Sequence, residues 1–415
     1  MSKGKLLFKN ISSEEVMIMP GGSKSISNRL LILCFLYNFK TKIINVSNAD
    51  DTVLLSRLLS NNRFDLVDCN NAGTVFRFLL GILPFVKGKK IITGSKRMLQ
   101  RPIKPLVNAL VQLGTPIQYL AKNDFPPLLV GHIDLQNKTN TVNVDATMSS
   151  QFTSALLLSF PKFGRSMTVQ LEGNVVSRPY LEMTIKLLQE FGASVLQSDN
   201  RIEVFPQLKG REQYFVESDW SSASYFYAHF LLNKKINSLK LYGLSEKSLQ
   251  GDSVISQIMQ LFGIQTIYNE DHVQLFRIDN HILPKHFEFD LTNYPDLAPT
   301  LAVVLAVLEI PSVLIGIQTL KYKESDRAIV LMNELNKLDS GIAIIDDQFI
   351  LKGNVLKYEP NKELQFETYD DHRMAMAFSL LCYRVKNLRI LNTEVVSKSC
   401  PNFWNELKKI GVYLE

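Results

Sequence analysis

Residues 295–306 read P-D-L-A-P-T-L-A-V-V-L-A, a polar start followed by a body that is apolar on every face. A helix without a polar stripe has to be buried on all sides. Five other segments have the same form: S-K-S-I-S-N-R-L-L-I-L-C-F-L (23–36), N-A-G-T-V-F-R-F-L-L-G-I-L (71–83), S-S-Q-F-T-S-A-L-L-L (149–158), S-S-A-S-Y-F-Y-A-H-F-L-L (221–232) and D-D-H-R-M-A-M-A-F-S-L-L (370–381). After the first gap they start 78, 72, 74 and 75 residues apart, counted along the chain. Such regular spacing marks an internal repeat.

A second element accompanies each of them. L-V-N-A-L-V-Q-L-G-T-P-I-Q-Y-L (106–120) reads as an amphipathic helix that ends at Gly114 and runs into a strand; Gly192, Gly263, Gly341 and Gly411 stand in like places. Glycine suits the left-handed position just past a helix end. Each repeat is therefore expected to hold strands and two helices, one buried and one half-exposed. Six repeats give an α/β chain of two domains with three units each.

Composition narrows the function. The 415 residues are 46% hydrophobic and 21% charged, enough to bury large cores. Net charge is +6, with no basic tail and no basic stripe interleaved with aromatics, which disfavours a dedicated nucleic-acid binder. Cys34, Cys69, Cys382 and Cys400 form no C-x-x-C pair and no zinc-type spacing, so no metal and no disulfide framework are expected, and the reducing cytoplasm is the expected compartment. The first ten residues, M-S-K-G-K-L-L-F-K-N, lack the apolar run of a signal peptide. Leu297 to Ile317 is broken by Pro299, Glu309 and Pro311 and reads as a buried helix and strand rather than a membrane span.

The buried helices start with Ser, Thr, Asn, Asp or Gly, leaving backbone N–H groups outward, and several add cations. Together these suit a small anion. P-G-G-S-K-S-I-S-N-R offers a glycine turn, Lys24, hydroxyls and Arg29 without Walker A spacing. Gly73 in N-A-G-T permits close backbone approach, and Arg101 stands ahead of Pro102 at a helix start. K-Y-K-E-S-D-R reads as one helical turn with Lys323 and Arg327 on one face. Asp371, His372 and Arg373 abut an apolar helix, a costly arrangement unless pairing or function retains it.

On these residues the chain resembles the 5-enolpyruvylshikimate-3-phosphate (EPSP) synthases. The match continues in the same order through R-P-I, S-S-Q-F, S-R-P-Y, V-E-S-D-W-S-S-A-S-Y, L-Q-G-D, P-D-L-A, K-E-S-D-R and D-D-H-R-M-A-M to V-S-K-S-C-P-N-F-W, along essentially the whole chain. The resemblance implies two domains, each three βαβαββ-type units with buried parallel helices in an inside-out α/β barrel. Their expected bounds are 23–217 for a shikimate 3-phosphate domain, and 1–22 with 218–415 for a domain carrying phosphoenolpyruvate-binding and proton-transfer residues.

The resemblance also implies transfer of the enolpyruvyl group of phosphoenolpyruvate to the 5-hydroxyl of shikimate 3-phosphate, by a cytoplasmic monomer that needs no cofactor and touches neither nucleic acid nor membrane. Lys24, Ser25, Arg29, Ser149, Ser150, Ser177, Tyr180, Asp296 and Lys323 are then expected at shikimate 3-phosphate. Lys24, Gly73, Arg101, Gln151, Arg327, Arg373 and Lys398 are expected at phosphoenolpyruvate, with Asp296, Glu324 and Lys24 as the catalytic groups. The seven cations Lys24, Arg29, Arg101, Lys323, Arg327, Arg373 and Lys398 are expected to lack counter-charge until the substrates arrive. Departures are the second glycine at Gly21-Gly22, Phe78 in place of proline, Arg178 where lysine or arginine is expected, and Thr319 in place of asparagine. The alternatives are the related transferase acting on UDP-N-acetylglucosamine, which normally carries a cysteine over phosphoenolpyruvate, and a non-catalytic anion binder.

Overall fold

The computed structural model describes residues 3–9, 13–61 and 64–415. Residues 1, 2 and 10–12, part of the N-terminal reading, lie outside the described residues. The chain separates into two compact units, one of residues 1–23, 48–50 and 217–415, the other of 24–47 and 51–216.

One repeat recurs through the chain. The first stretch holds β1 (Lys3–Phe8), β2 (Ser13–Ile18), α1 (Lys24–Tyr37), β3 (Lys42–Ile44) and α2 (Asp50–Asn61). The first complete repeat follows: β4 (Leu66–Asp68), α3 (Gly73–Ile82), β5 (Lys90–Thr93), α4 (Lys104–Gln112), β6 (Ile117–Tyr119) and β7 (Leu128–Val130). The second is β8 (Thr141–Asp145), α5 (Ser150–Ser159), β9 (Met167–Glu172), α6 (Arg178–Glu190), β10 (Val195–Gln197) and β11 (Arg201–Val204). After β12 (Gln213–Phe215) come α7 (Trp220–Leu232), β13 (Ile236–Tyr242), α8 (Ile255–Gln260), β14 (Ile264–Tyr268) and β15 (His272–Arg277). Next are β16 (Phe287–Asp290), α9 (Ala298–Val307), β17 (Ser312–Ile315), α10 (Arg327–Leu335), β18 (Ile342–Ile345) and β19 (Gln348–Leu351). The chain closes with β20 (Leu364–Phe366), α11 (His372–Phe378), β21 (Leu388–Leu391), α12 (Phe403–Lys408) and β22 (Val412–Leu414).

Sheet topology shows why these are one motif. In the orders β4-β5-β7-β6, β8-β9-β11-β10 and β16-β17-β19-β18, a parallel pair is extended by two antiparallel strands. Two further sheets complete the same pattern with strands from the chain start: β2 pairs in parallel with β13, and β1 lies between β21 and β22. The sixth repeat keeps only the parallel pair β12 and β3 among the described residues.

The parallel pair needs a crossover between its strands, and the apolar helix supplies it. All ten residues of α9 are buried, as are all but Thr74 in α3 and all but Gln151 in α5. The stretch from Leu297 to Ile317 is a helix and strand as expected, the helix buried and the strand half-buried, and no helix among the described residues is long and apolar enough to cross a membrane. Gly81 of α3 lies so close to α5 that an added Cβ would stand 2.9 Å from the Ala155 carbonyl oxygen. The half-exposed helices stop where expected: Gly114, Gly192, Gly263, Gly341 and Gly411 take φ of 90°, 93°, 85°, 68° and 86°.

Candidate functional site

Each unit gathers part of the expected residues. In the unit of residues 24–47 and 51–216, the N-termini of α1, α3, α5 and α6 supply them. Ser149 caps α5 by accepting the Gln151 N–H at 3.3 Å. Ser177, in the left-handed region at φ 54°, turns the chain into α6, whose second residue is Pro179. Arg101 takes the extended conformation that a following proline imposes, φ −91° and ψ 123°, before α4.

Arg29 is 2% exposed and held internally. Its Nε donates to Thr184 Oγ1 at 2.7 Å, Nη1 to the Ser25 carbonyl at 2.8 Å, and Nη2 to the Tyr180 carbonyl at 3.0 Å and to Ser154 Oγ at 3.4 Å. A guanidinium has five N–H groups, so these bonds leave one on Nη1. The Phe78 ring lies under it, 5.2 Å from Cζ. Burial lowers the Arg29 pKa to about 10, which still leaves a cation at neutral pH. Phe78, a departure from the family pattern, thus packs on the guanidinium that ties the starts of α1 and α6 together.

Gly73 opens α3. A Cβ there would fall 2.5 Å from Arg77 Nη1 and 2.6 Å from Arg101 Nη1, so two guanidinium groups occupy the space over the glycine. Arg77 also donates to Gln151 Oε1 at 2.9 Å, and Gln151 Nε2 donates to Thr74 Oγ1 at 3.1 Å. Sequence reasoning missed Arg77. Its signal was present, since it stands one helical turn after Gly73 on an otherwise apolar helix. Lys24, the first residue of α1, pairs with Asp51 at 3.2 Å.

In the other unit the centre is Asp296, in the 3-10 turn that leads into α9. Its Oδ1 accepts from Arg327 Nη1 at 2.9 Å and Lys323 Nζ at 3.2 Å, and its Oδ2 accepts from Arg373 Nη2 at 2.8 Å. Arg327, 1% exposed, also donates from Nε to Asp371 Oδ2 at 2.9 Å and from Nη2 to Glu324 Oε2 at 2.8 Å. Lys398 Nζ lies 3.7 Å from Glu324 Oε1. Asp371 is fully buried, caps α11 by accepting the Arg373 N–H, and accepts from Ser325 Oγ at 3.0 Å.

The electrostatics follow from this packing. Burial opposes ionisation of Asp296, but Arg373, Lys323 and Arg327 outweigh it and hold the carboxyl well below its usual range. Burial also opposes the Arg327 charge, yet Asp371, then Glu324 and Asp296, raise the guanidinium above its ordinary value. Burial lowers Lys323 despite Asp296 beside it. Asp252, bonded by Ser221, is pushed up to about 6 by burial and next by the Asp296 charge.

Two expectations change. The run K-Y-K-E-S-D-R is not one helical turn: a 3-10 segment ends at Tyr322, Lys323 is extended at ψ −166°, and α10 begins at Arg327. Asp326 explains the break, because its side chain caps α10 by accepting the Ile329 N–H, and a capping residue is itself non-helical. Lys323 and Arg327 still meet, through Asp296. The cations do not lack counter-charge: five of the seven, Lys24, Lys323, Arg327, Arg373 and Lys398, have a carboxylate oxygen within 4 Å. The second glycine is absorbed locally, with Gly21 at φ 82° and Gly22 bridged to Ser218.

Repeated α/β units whose buried helices present arginines, lysines and carboxylates at their starts define a class of protein suited to a small polyanion. Within that class the sequence pattern of EPSP synthase (3-phosphoshikimate 1-carboxyvinyltransferase) matches residues 55–407, and the chain belongs to that family. It is 38% identical to the 3-phosphoshikimate 1-carboxyvinyltransferase of Bacteroides fragilis strain YCH46, over 96% of each chain. It is 32% identical to that of Mannheimia haemolytica, over 98% of this chain and 99% of the other. The fold matches a solved EPSP synthase of Acinetobacter baumannii with a TM-score of 0.74 over 100% of this chain and 99% of that one, at 21% identity.

Proposed function

We propose that the chain transfers the enolpyruvyl group of phosphoenolpyruvate to the 5-hydroxyl of shikimate 3-phosphate, releasing phosphate, as a 3-phosphoshikimate 1-carboxyvinyltransferase in the pathway to aromatic amino acids. The observation that carries the reading is the buried cluster of Lys323, Arg327 and Arg373 on Asp296, with Glu324 and Lys398 beside it.

The chemistry needs both signs of charge. The 5-hydroxyl oxygen adds to C2 of phosphoenolpyruvate while its methylene carbon gains a proton, giving a tetrahedral ketal; phosphate then leaves and a methyl proton is lost. One group must give and take the proton at carbon, and another must take it from the hydroxyl. Asp296 and Glu324 are assigned to these transfers and Lys24 assists. While Arg373, Lys323 and Arg327 face Asp296, its proton affinity is low. Anionic substrates that draw those cations away remove the cause of the depression, and Asp296 becomes the better base.

Lys24, Ser25, the remaining N–H of Arg29, Ser149, Ser150, Ser177, Tyr180 and Lys323 are assigned to shikimate 3-phosphate. Gly73, Arg101, Gln151, Arg327, Arg373 and Lys398 are assigned to phosphoenolpyruvate, where guanidinium and ammonium groups steady the departing phosphate. A monomeric cytoplasmic enzyme fits the reading, and its four cysteines are free thiols. Phosphorus NMR tests the reaction directly: the phosphoenolpyruvate resonance should convert to inorganic phosphate while the 3-phosphate monoester persists. Loss of the monoester instead would mean a phosphatase.

A further inference from the structure

Lys24 opens α1, where the helix dipole disfavours a cation. Its side chain is nevertheless 13% exposed, so it is not simply extended into water. What holds it is Asp51, whose side chain is 6% exposed and whose Oδ2 lies 3.2 Å from Nζ. Asp51 is the second residue of α2, where the dipole favours a carboxylate. Behind it stands the buried Cys69 thiol, raised well above its ordinary value by burial first, then by Asp68 and Asp51. The thiol therefore stays neutral and leaves Asp51 without a competing anion for Lys24.

We propose that Asp51 is the positioning residue for Lys24: it fixes the ammonium at the start of α1 before the substrates bind, using one of three N–H donors and leaving the others for ligand oxygens. A lysine stem has many rotamers, and fixing them in advance removes an ordering cost from ligand binding. The proposal rests on the assignment of Lys24 to the substrates.

The test is a double-mutant cycle of Asp51→Asn and Lys24→Met, with Asp51→Glu as the conservative variant, read by kcat/KM for phosphoenolpyruvate and by thermal midpoint. Alone, Asp51→Asn should lower kcat/KM roughly 10- to 100-fold, and Asp51→Glu should recover most of it; in the Lys24→Met background Asp51→Asn should cost less than about 3-fold more. A purely structural aspartate would lower the midpoint and act equally in both backgrounds. An equal loss in both, or parental kcat/KM for Asp51→Asn, overturns the proposal while leaving Lys24 in place. Parental activity for Lys24→Met removes the Lys24 assignment and this proposal together.

Discussion

Asp296 takes bonds from three cations, so Asp296→Asn does two things at once. It removes a proton acceptor, and it leaves Lys323, Arg327 and Arg373 short of counter-charge, which for a buried pair costs about 3 kcal/mol or more. Turnover should fall by about 100-fold and the thermal midpoint should fall with it. Glu324→Gln should cut turnover as deeply while sparing shikimate 3-phosphate affinity by calorimetry; turnover within a few-fold of the parent for both variants would put the proton transfers elsewhere. Gly73→Ala should displace the Arg77 and Arg101 guanidinium ends that fill its space, raising KM for phosphoenolpyruvate and weakening glyphosate, whose competition with phosphoenolpyruvate the family resemblance implies. Equal KM and inhibition in both proteins would show that the two arginines move aside at no cost. Asp252 gives a pH test. Its folded value of about 6 exceeds the ordinary carboxylate value of about 3.9, so the folded state holds the extra proton, and Asp252 destabilises progressively as pH rises from about 4 through 6. Asp252→Asn should therefore gain on the parent across that window, by at most about 2 kcal/mol, in thermal midpoints measured against pH. A constant gap would mean that Asp252 ionises normally. At this scale the sequence carried residue types but not partners: Asp371 read as a helix start and Asp51 was not singled out, and nothing in one chain's order ties them to Arg327 and Lys24.

At the scale of elements, caps decide where the site residues point. Asp326→Ala should remove the cap of α10 and cost about 1 kcal/mol in stability. Because Arg327 is held by three carboxylates as well as by its helix, turnover should stay within a few-fold of the parent. A collapse of turnover without loss of stability would mean that the cap, not the carboxylates, sets the arginine. The six apolar segments were legible as buried helices because a helix without a polar face has one stable environment, and the five glycines were legible as ends because each takes a positive φ. K-Y-K-E-S-D-R was misread for the opposite reason. Charges at i and i+4 imitate an exposed helix, while Ser325 and Asp326 equally suit a loop and cap, and the Asp326 cap starts the helix only at Arg327.

Across the whole molecule, spacing near 75 residues announced the repeat, and five sheets share its strand order. Two features were not legible in the residues themselves, although the resemblance grouped 1–22 with 218–415: the N-terminal strands β1 and β2 complete sheets far along the chain, and the repeat containing α1 keeps only two strands in its sheet among the described residues. Long-range pairing leaves little mark on local sequence, since the pattern of a strand of six residues or fewer does not name its partner strand. The account's central claim is that these repeats serve one condensation of two anionic substrates. Release of inorganic phosphate, measured in excess chelator with each substrate alone and with both, tests it most directly. The account predicts release only when shikimate 3-phosphate and phosphoenolpyruvate are both present; undiminished release with UDP-N-acetylglucosamine as the sole acceptor would contradict it.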